Sequence, residues 1–123
     1  MIRLFISLVA TLFVLVPAAV QAQGQAQVPA QPPVFSSSRI IVETRGSGPD
    51  IIFVPGLGST GAAWRSTADR LDDRYRVHLV TLRGFCETDI GDNVGGGLAG
   101  PAASEIERYI REQRIDRPAV IGH

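Results

Sequence analysis

The sequence predicts an α/β fold built on a mostly parallel sheet, with about four strands and two helices. Two observations carry this prediction. Three short apolar segments alternate with two helix-like segments, and the order strand–helix–strand–helix–strand indicates parallel strands joined by right-handed crossovers. A further β-branched segment comes before them across a tight turn, so we expect it to pair antiparallel at the margin of the sheet.

The predicted strands are rich in β-branched residues or are continuously apolar, as is typical of a sheet covered on both faces. They span residues 39–44, 51–54, 77–82 and 118–121. The turn after the first strand is predicted by the segment Gly-Ser-Gly-Pro-Asp at residues 46–50.

The first helix is predicted over residues 60–71, where Trp64, Ala68 and Leu71 recur at the spacing of one helical face. The second helix is predicted to begin near Pro101, because a residue without an N–H suits the first helical turn. Its apolar face is expected to hold four residues, namely Ile106, Tyr109, Ile110 and Gln113.

The first 22 residues have the pattern of a cleaved signal peptide. Arg3 supplies a positive start, residues 4–16 form a short apolar run, and Ala22 offers a small residue at the cleavage point. A membrane anchor is the alternative, but it needs about 20 apolar residues. We therefore expect an exported protein, periplasmic or secreted, without a stable membrane anchor after cleavage. Residues 23–38, rich in Gln, Pro and Ser, are interpreted as a flexible linker before the domain at 39–123.

Composition excludes several classes of function. The 12 basic and 12 acidic residues give a net charge near zero, without a basic block that would indicate nucleic-acid binding. One cysteine and two histidines are too few for a disulfide framework or a convincing zinc site. We therefore expect no metal and no cofactor.

The segment that follows the second strand admits two interpretations. Gly56-x-Gly58-x-x-Gly61 matches a dinucleotide-binding fingerprint in a strand–loop–helix setting, and Arg83 could bind a 2′-phosphate. An NAD(P)-binding domain is therefore the alternative function. Export without a loaded cofactor and the additional antiparallel strand both count against it.

Three segments resemble the α/β-hydrolase family of serine hydrolases. Residues 51–64, with the sequence Pro-Gly-Leu-Gly after the strand and Trp64 beyond it, are similar to the family's oxyanion loop. Residues 75–85 are similar to the next strand and its Arg-Gly-Phe loop, and residues 118–123 to the strand that enters the Gly-x-Ser-x-Gly elbow. The resemblance covers residues 39–123 and departs at Pro55, where the family commonly has His.

The resemblance implies hydrolysis of an ester-like acyl substrate, a small molecule, by a serine nucleophile beyond His123. It assigns the oxyanion-hole backbone N–H to Leu57, the supporting loop to Gly56 and Gly58, and the approach to the elbow to Gly122 and His123. On this interpretation the chain is the N-terminal half of the fold and lacks the catalytic triad. We therefore expect it to be inactive by itself.

Four other residues have plainer interpretations. His78 lies mid-strand and is expected to be a packed, neutral histidine. His123 fills the variable position of the elbow, where the resemblance implies that the side chain points away from the nucleophile. Cys86 is expected to be a passive loop thiol, since no histidine is near it in sequence. Trp64 is expected in the core or in a pocket wall.

Overall fold

The structure is a computed structural model that describes residues 34–123. The predicted signal peptide at 1–22 and most of the predicted linker lie outside the described residues. The four strands are β1 (Ile40–Arg45), β2 (Asp50–Val54), β3 (Arg76–Leu82) and β4 (Ala119–Gly122). The helices are a 3₁₀ helix (Gly61–Trp64), the short α1 (Arg65–Ala68) and the longer α2 (Ala99–Glu112). Within residues 34–123, none of the helices has the length and apolarity needed to cross a bilayer.

The strands form one sheet in the order β1-β3-β2-β4. β2 pairs in parallel with both β3 and β4, and β1 pairs antiparallel with β3 at the edge of the sheet. The predicted mixed sheet and the marginal antiparallel strand are therefore confirmed. The parallel strands bring the ends of β2, β3 and β4 to the same edge of the sheet.

The alternation of side chains along the strands divides the core into two apolar clusters. Ile52 of β2 faces α2, and its cluster contains Ile40, Val80, Tyr109 and Ile115. Ile51 and Phe53 point to the other face, where α1 and the 3₁₀ helix lie, and their cluster contains Ala68, Val77 and Leu79. Both faces of the central strand are covered, which explains the continuous apolar run of β2.

The helix α2 begins at Ala99, two positions before the predicted start, so that Pro101 lies within the first turn. There the absence of an N–H costs no intrahelical hydrogen bond. Ile106, Tyr109 and Ile110 pack against the sheet as predicted. Gln113 is the C-cap residue and lines a cavity beside Tyr109.

The prediction of one continuous helix over residues 60–71 is wrong. The Thr60 hydroxyl caps the 3₁₀ helix, and Trp64 then takes φ −98° and ψ 0° before four residues of α1. The helical path breaks at Trp64, where the indole N–H reaches back to the Val54 carbonyl at 3.2 Å. The predicted apolar face is nevertheless confirmed, because Trp64, Ala68 and Leu71 all pack in the same cluster.

The last residues of the predicted linker contact the folded region. The Phe35 ring meets the Tyr109 ring edge-on at 4.8 Å, and the Arg108 guanidinium lies 4.5 Å from the centre of the Phe35 ring. The Ser37 hydroxyl accepts hydrogen bonds from the backbone N–H groups of Arg39 and Ile40 at 2.9 and 3.0 Å. These contacts tie residues 35–38 to α2 and to the start of β1.

A polar network is enclosed between the sheet and α2. His78 is 2% exposed, with Nε2 2.7 Å from Asp50 Oδ1 and Nδ1 2.7 Å from the Tyr109 hydroxyl. Asp50 also accepts two hydrogen bonds from Arg76, at 2.5 and 3.0 Å. The Tyr109 hydroxyl is 3.3 Å from the Thr44 hydroxyl, so the network joins three strands to α2.

Charge in this network follows from burial and hydrogen bonding. Burial lowers the pKa of His78 below its ordinary value, against the opposing effect of the hydrogen bond to Asp50. Burial opposes ionisation of Asp50, but the hydrogen bonds from Arg76 and His78 outweigh it and lower the pKa of that carboxyl. A neutral ring protonated at Nε2 fits both contacts, since it donates to Asp50 and accepts from Tyr109. The predicted packing of His78 is confirmed, and its lowered pKa favours the predicted neutral form.

Candidate active site

Two loops and His123 lie at the carboxyl edge of the parallel strands. Residues 55–60 follow β2, residues 83–98 follow β3, and His123 follows β4. In α/β sheets, ligands bind at this edge because the loops there are free to shape a site above a rigid scaffold. The residues singled out in the sequence therefore lie at the appropriate end of the sheet.

The first of these loops contains a tight turn over residues 56–59. The backbone N–H of Ser59 donates to the Gly56 carbonyl at 3.1 Å, and Gly58 has φ +80°. A positive φ at the third residue is the mark of a type II turn, which places Leu57 at the second position. The Leu57 side chain is 82% exposed, and in the described part of the chain its N–H has no hydrogen-bond acceptor. This N–H is therefore available to an external acceptor.

Gly56 and Gly58 serve the turn in different ways. A Cβ at Gly56 would lie 3.1 Å from the His123 carbonyl oxygen and 3.2 Å from the His123 ring, so a side chain there would separate the loop from the end of β4. A Cβ at Gly58 would meet nothing within 4 Å, so glycine is favoured there by the backbone angle alone. The structure thus brings Gly56 and His123 together across 67 positions of sequence.

Trp64 forms a wall beside these residues. Its ring lies 4.8 Å from the Phe53 ring and meets the His123 ring at 5.2 Å with an interplanar angle of 62°. The indole is half-buried, and its N–H is bonded to the carbonyl of Val54, the last residue of β2. The contact with His123 could not be anticipated, since no sequence pattern links residues so far apart.

Cys86 lies in the loop after β3, with φ +53°, and is exposed. It borders a cavity of about 470 Å³ whose charged lining residues are Glu43, Arg65 and Glu87. Neither described histidine lines this cavity, so no imidazole accompanies the thiol there. Among residues 34–123, no cluster of three potential metal ligands is present either.

The sequence model of the alpha/beta hydrolase family matches residues 51–123. The chain belongs to the alpha/beta hydrolase family. The matched region contains β2, β3 and β4, the type II turn and His123. The resemblance inferred from the three sequence segments is therefore confirmed.

Named relatives in this family include esterases. The pimeloyl-[acyl-carrier protein] methyl ester esterase of Aeromonas hydrophila is 38% identical over 74 residues, which are 60% of this chain and 29% of that protein. The enzyme of the same name from Vibrio cholerae is 44% identical over 43 residues, which are 35% of this chain and 17% of that protein.

Solved structures show the same fold. A marine microorganism esterase superposes with a TM-score of 0.59 at 26% identity, over 71% of this chain and 33% of that one. An alpha/beta hydrolase fold protein from Burkholderia ambifaria superposes with a TM-score of 0.59 at 30% identity, over 69% and 31% of the two chains. This hydrolase chain spans a third or less of the length of these relatives.

The three glycines of the possible dinucleotide fingerprint have local explanations in the hydrolase fold. Gly61 packs against β3, where a Cβ would lie 3.0 Å from Leu79, and its N–H donates to the Thr81 hydroxyl at 2.8 Å. Only four residues of 3₁₀ helix and four of α1 follow the loop, whereas pyrophosphate binding uses the N-terminus of a longer helix. Arg83 is engaged with the Ser37 carbonyl at 3.2 Å. The dinucleotide alternative is therefore not favoured.

Proposed function

We propose that the full-length protein is an exported serine hydrolase that cleaves an ester-like acyl substrate. The observation that carries this proposal is the Leu57 N–H, which has no acceptor among the described residues and lies in a type II turn whose first residue, Gly56, adjoins His123. Membership of the alpha/beta hydrolase family supports it, because serine hydrolases of this fold take one oxyanion donor from a loop that follows a strand of the sheet.

The proposed chemistry is nucleophilic acyl transfer. A serine immediately after His123 gives its proton to the triad base and attacks the substrate carbonyl, whose oxygen becomes an oxyanion. Collapse of this intermediate breaks the ester bond and expels the alcohol, which takes the proton from the base, and water then releases the acid from the acyl-enzyme. The Leu57 N–H donates to this oxyanion, and the N–H of the residue after the nucleophile is the second donor. The close approach of Gly56 to His123 supports this arrangement, since it puts the turn next to the end of the strand that would carry the nucleophile.

The acid and base of the triad are proposed to follow later in the chain, in the family order Ser, Asp or Glu, His. Residues 1–123 alone are therefore proposed to be inactive. In the part of the chain that the structure describes, none of the hydrogen bonds joins a serine or cysteine to a histidine. Expression of residues 1–123 and assay with an activated ester tests this proposal, and saturable turnover would contradict it.

The substrate is proposed to be a small carboxylic ester. The relatives from Aeromonas and Vibrio are named for the methyl ester of pimeloyl-[acyl-carrier protein], so an acyl group on a carrier protein is one candidate. The full-length protein should hydrolyse p-nitrophenyl esters, and a series of acyl chain lengths would define the acyl pocket. Absence of hydrolysis across the series would contradict the proposed function.

Export is proposed from the charged start and short apolar run of residues 1–22. Mass spectrometry of the protein recovered from the periplasm or medium should give Gln23 as the first residue. A protein that keeps residues 1–22 would indicate an anchor.

For the dinucleotide alternative, calorimetry with NADP tests the binding site, and micromolar binding that disappears in Arg83→Ala would overturn the hydrolase proposal.

A further inference from the structure

Trp64 is the one tryptophan of the chain, and it contacts the ends of two neighbouring parallel strands. Its indole N–H is bonded to the carbonyl of Val54, at the end of β2, at 3.2 Å. Its ring meets the ring of His123, directly after β4, at 5.2 Å. Val54 and Gly122 are themselves partners in the parallel pairing of these strands.

This bridge lies where the turn leaves the sheet. Gly56 is two residues beyond Val54, and its α-carbon faces His123 so closely that a Cβ would lie 3.1 Å from the His123 carbonyl. Trp64 therefore fixes the backbone that enters the turn and the residue against which the turn rests. The Trp64 ring packs against the Phe53 ring, with the two ring centres 4.8 Å apart, and Phe53 is 1% exposed.

We infer that Trp64 is a positioning residue for the reaction, and that it sets the place of the Leu57 N–H relative to the end of β4. This inference rests on the proposed function, in which Leu57 donates to the oxyanion and the nucleophile follows His123. Trp64 acts through the Val54 carbonyl and the His123 ring and does not itself contact the reacting atoms. Because an oxyanion donor works only within a few tenths of an ångström of its acceptor, a shift of the turn lowers the rate of the chemical step more than substrate binding.

The variant Trp64→Phe tests the inference in the full-length protein. Phenylalanine keeps an aromatic ring against Phe53 and His123 but removes the N–H that binds Val54. We expect kcat for an activated ester to fall about tenfold. A 1 Å misplacement of a catalytic group costs roughly hundredfold, and the loss of one hydrogen bond to Val54 should move the turn by less than that. KM should stay unchanged, and inhibition by a trifluoromethyl ketone, which places an oxyanion in the site, should weaken by the same factor as kcat.

Val77→Ala is the matched control. Val77 belongs to the same apolar cluster as Phe53 but lies at the other end of the sheet, where it pairs with Ile51. It should lower the unfolding midpoint while kcat, KM and ketone inhibition stay at their wild-type values at a temperature where the variant is folded. If Trp64→Phe does not fold, His123→Ala removes the other contact of the indole from an exposed position, with an expected loss in kcat of about threefold at constant KM.

The outcomes separate the two proposals. A wild-type protein that hydrolyses esters, with Trp64→Phe equal to it in kcat and ketone inhibition, overturns the positioning role and leaves the hydrolase proposal intact. Equal losses in Trp64→Phe and Val77→Ala also overturn it, because they indicate a general loss of stability. A wild-type protein without ester hydrolysis overturns the proposed function and, with it, this role of Trp64.

Discussion

Replacement of Leu57 by proline removes one proposed oxyanion donor without an obvious cost to the fold. Leu57 occupies the second position of a type II turn, where proline is common because its fixed φ fits the turn. The N–H that proline lacks has no acceptor among the described residues, so no hydrogen bond of the fold is lost. The preceding residue is Gly56, which tolerates the restriction that proline places on its neighbour.

The expected effects on rate and stability have opposite signs. Loss of one oxyanion donor typically lowers kcat by about 10²–10³, equivalent to about 2.7–4 kcal/mol of barrier. A proline that fits the native backbone raises the free energy of unfolding by about 0.4–1 kcal/mol. The control Leu57→Ala keeps the N–H and removes a side chain that is 82% exposed. It should leave most of kcat, since the N–H that donates to the oxyanion is kept, and should change the free energy of unfolding by about 0.5 kcal/mol or less.

The assay compares kcat for an activated ester and urea unfolding for the two variants in the full-length protein. A large loss of kcat in Leu57→Pro, with an unfolding midpoint equal to or above that of wild type, is the predicted result. Wild-type kcat in Leu57→Pro would refute the assignment of the Leu57 N–H as a donor. Equal large losses in both variants would instead place the Leu57 side chain in contact with the substrate.

Three further predictions concern stability. Tyr109→Phe removes the 2.7 Å partner of the buried His78 Nδ1 and leaves only the Thr44 hydroxyl at 3.4 Å. It should lower the free energy of unfolding by about 1–3 kcal/mol, measured with urea; no change would indicate that the Thr44 hydroxyl replaces the lost partner. Since burial lowers the pKa of His78, the unfolded chain takes up a proton below pH 6.5 that the folded chain resists. Stability should therefore fall as the pH drops below 6.5, and His78→Gln should flatten this dependence; an unaltered slope would assign it to other groups. Gly91→Ala places a Cβ 1.9 Å from the Ser38 carbonyl oxygen at φ +51°, and should lower the free energy of unfolding by more than the roughly 1–2 kcal/mol of a left-handed residue. The control Gly95→Ala, at φ +91° with no atom within 4 Å of its Cβ, should cost only that backbone strain. Equal shifts of the melting temperature in the two variants would exclude the clash at Gly91.

The strands and the mixed sheet could be predicted from sequence because their information is local. The apolar run of β2 predicts a buried strand without knowledge of the rest of the chain. The tight turn before β2 does not determine the pairing, because β1 pairs with β3 and not with β2. The sequence predicts a single helix at residues 60–71 because the spacing of apolar residues indicates which face is buried. This spacing does not indicate where the backbone hydrogen bonds of the helix are interrupted. The break lies at Trp64, whose side chain bonds to the Val54 carbonyl at a strand end ten positions away.

The polar network of His78 could be predicted only in outline. Its burial follows from the mid-strand position. Its partners Asp50 and Tyr109 lie 28 and 31 positions away, and they meet it only because of the strand register and the placement of α2.

In the candidate site, too, the local features could be predicted from the sequence and the long-range contacts could not. The glycine pattern indicated the turn and the resemblance indicated the role of Leu57, whereas the contact of Gly56 with His123 depends on the pairing of β2 with β4.

Active-site labelling of the full-length protein bears directly on the serine-hydrolase proposal. A fluorophosphonate reacts with a serine that is activated by a neighbouring base, and peptide mapping locates the modified residue. We expect one adduct per chain, on a serine immediately after His123, with loss of ester hydrolysis in proportion to labelling. An adduct on Cys86 or elsewhere, or full ester hydrolysis in a labelled protein, would contradict it.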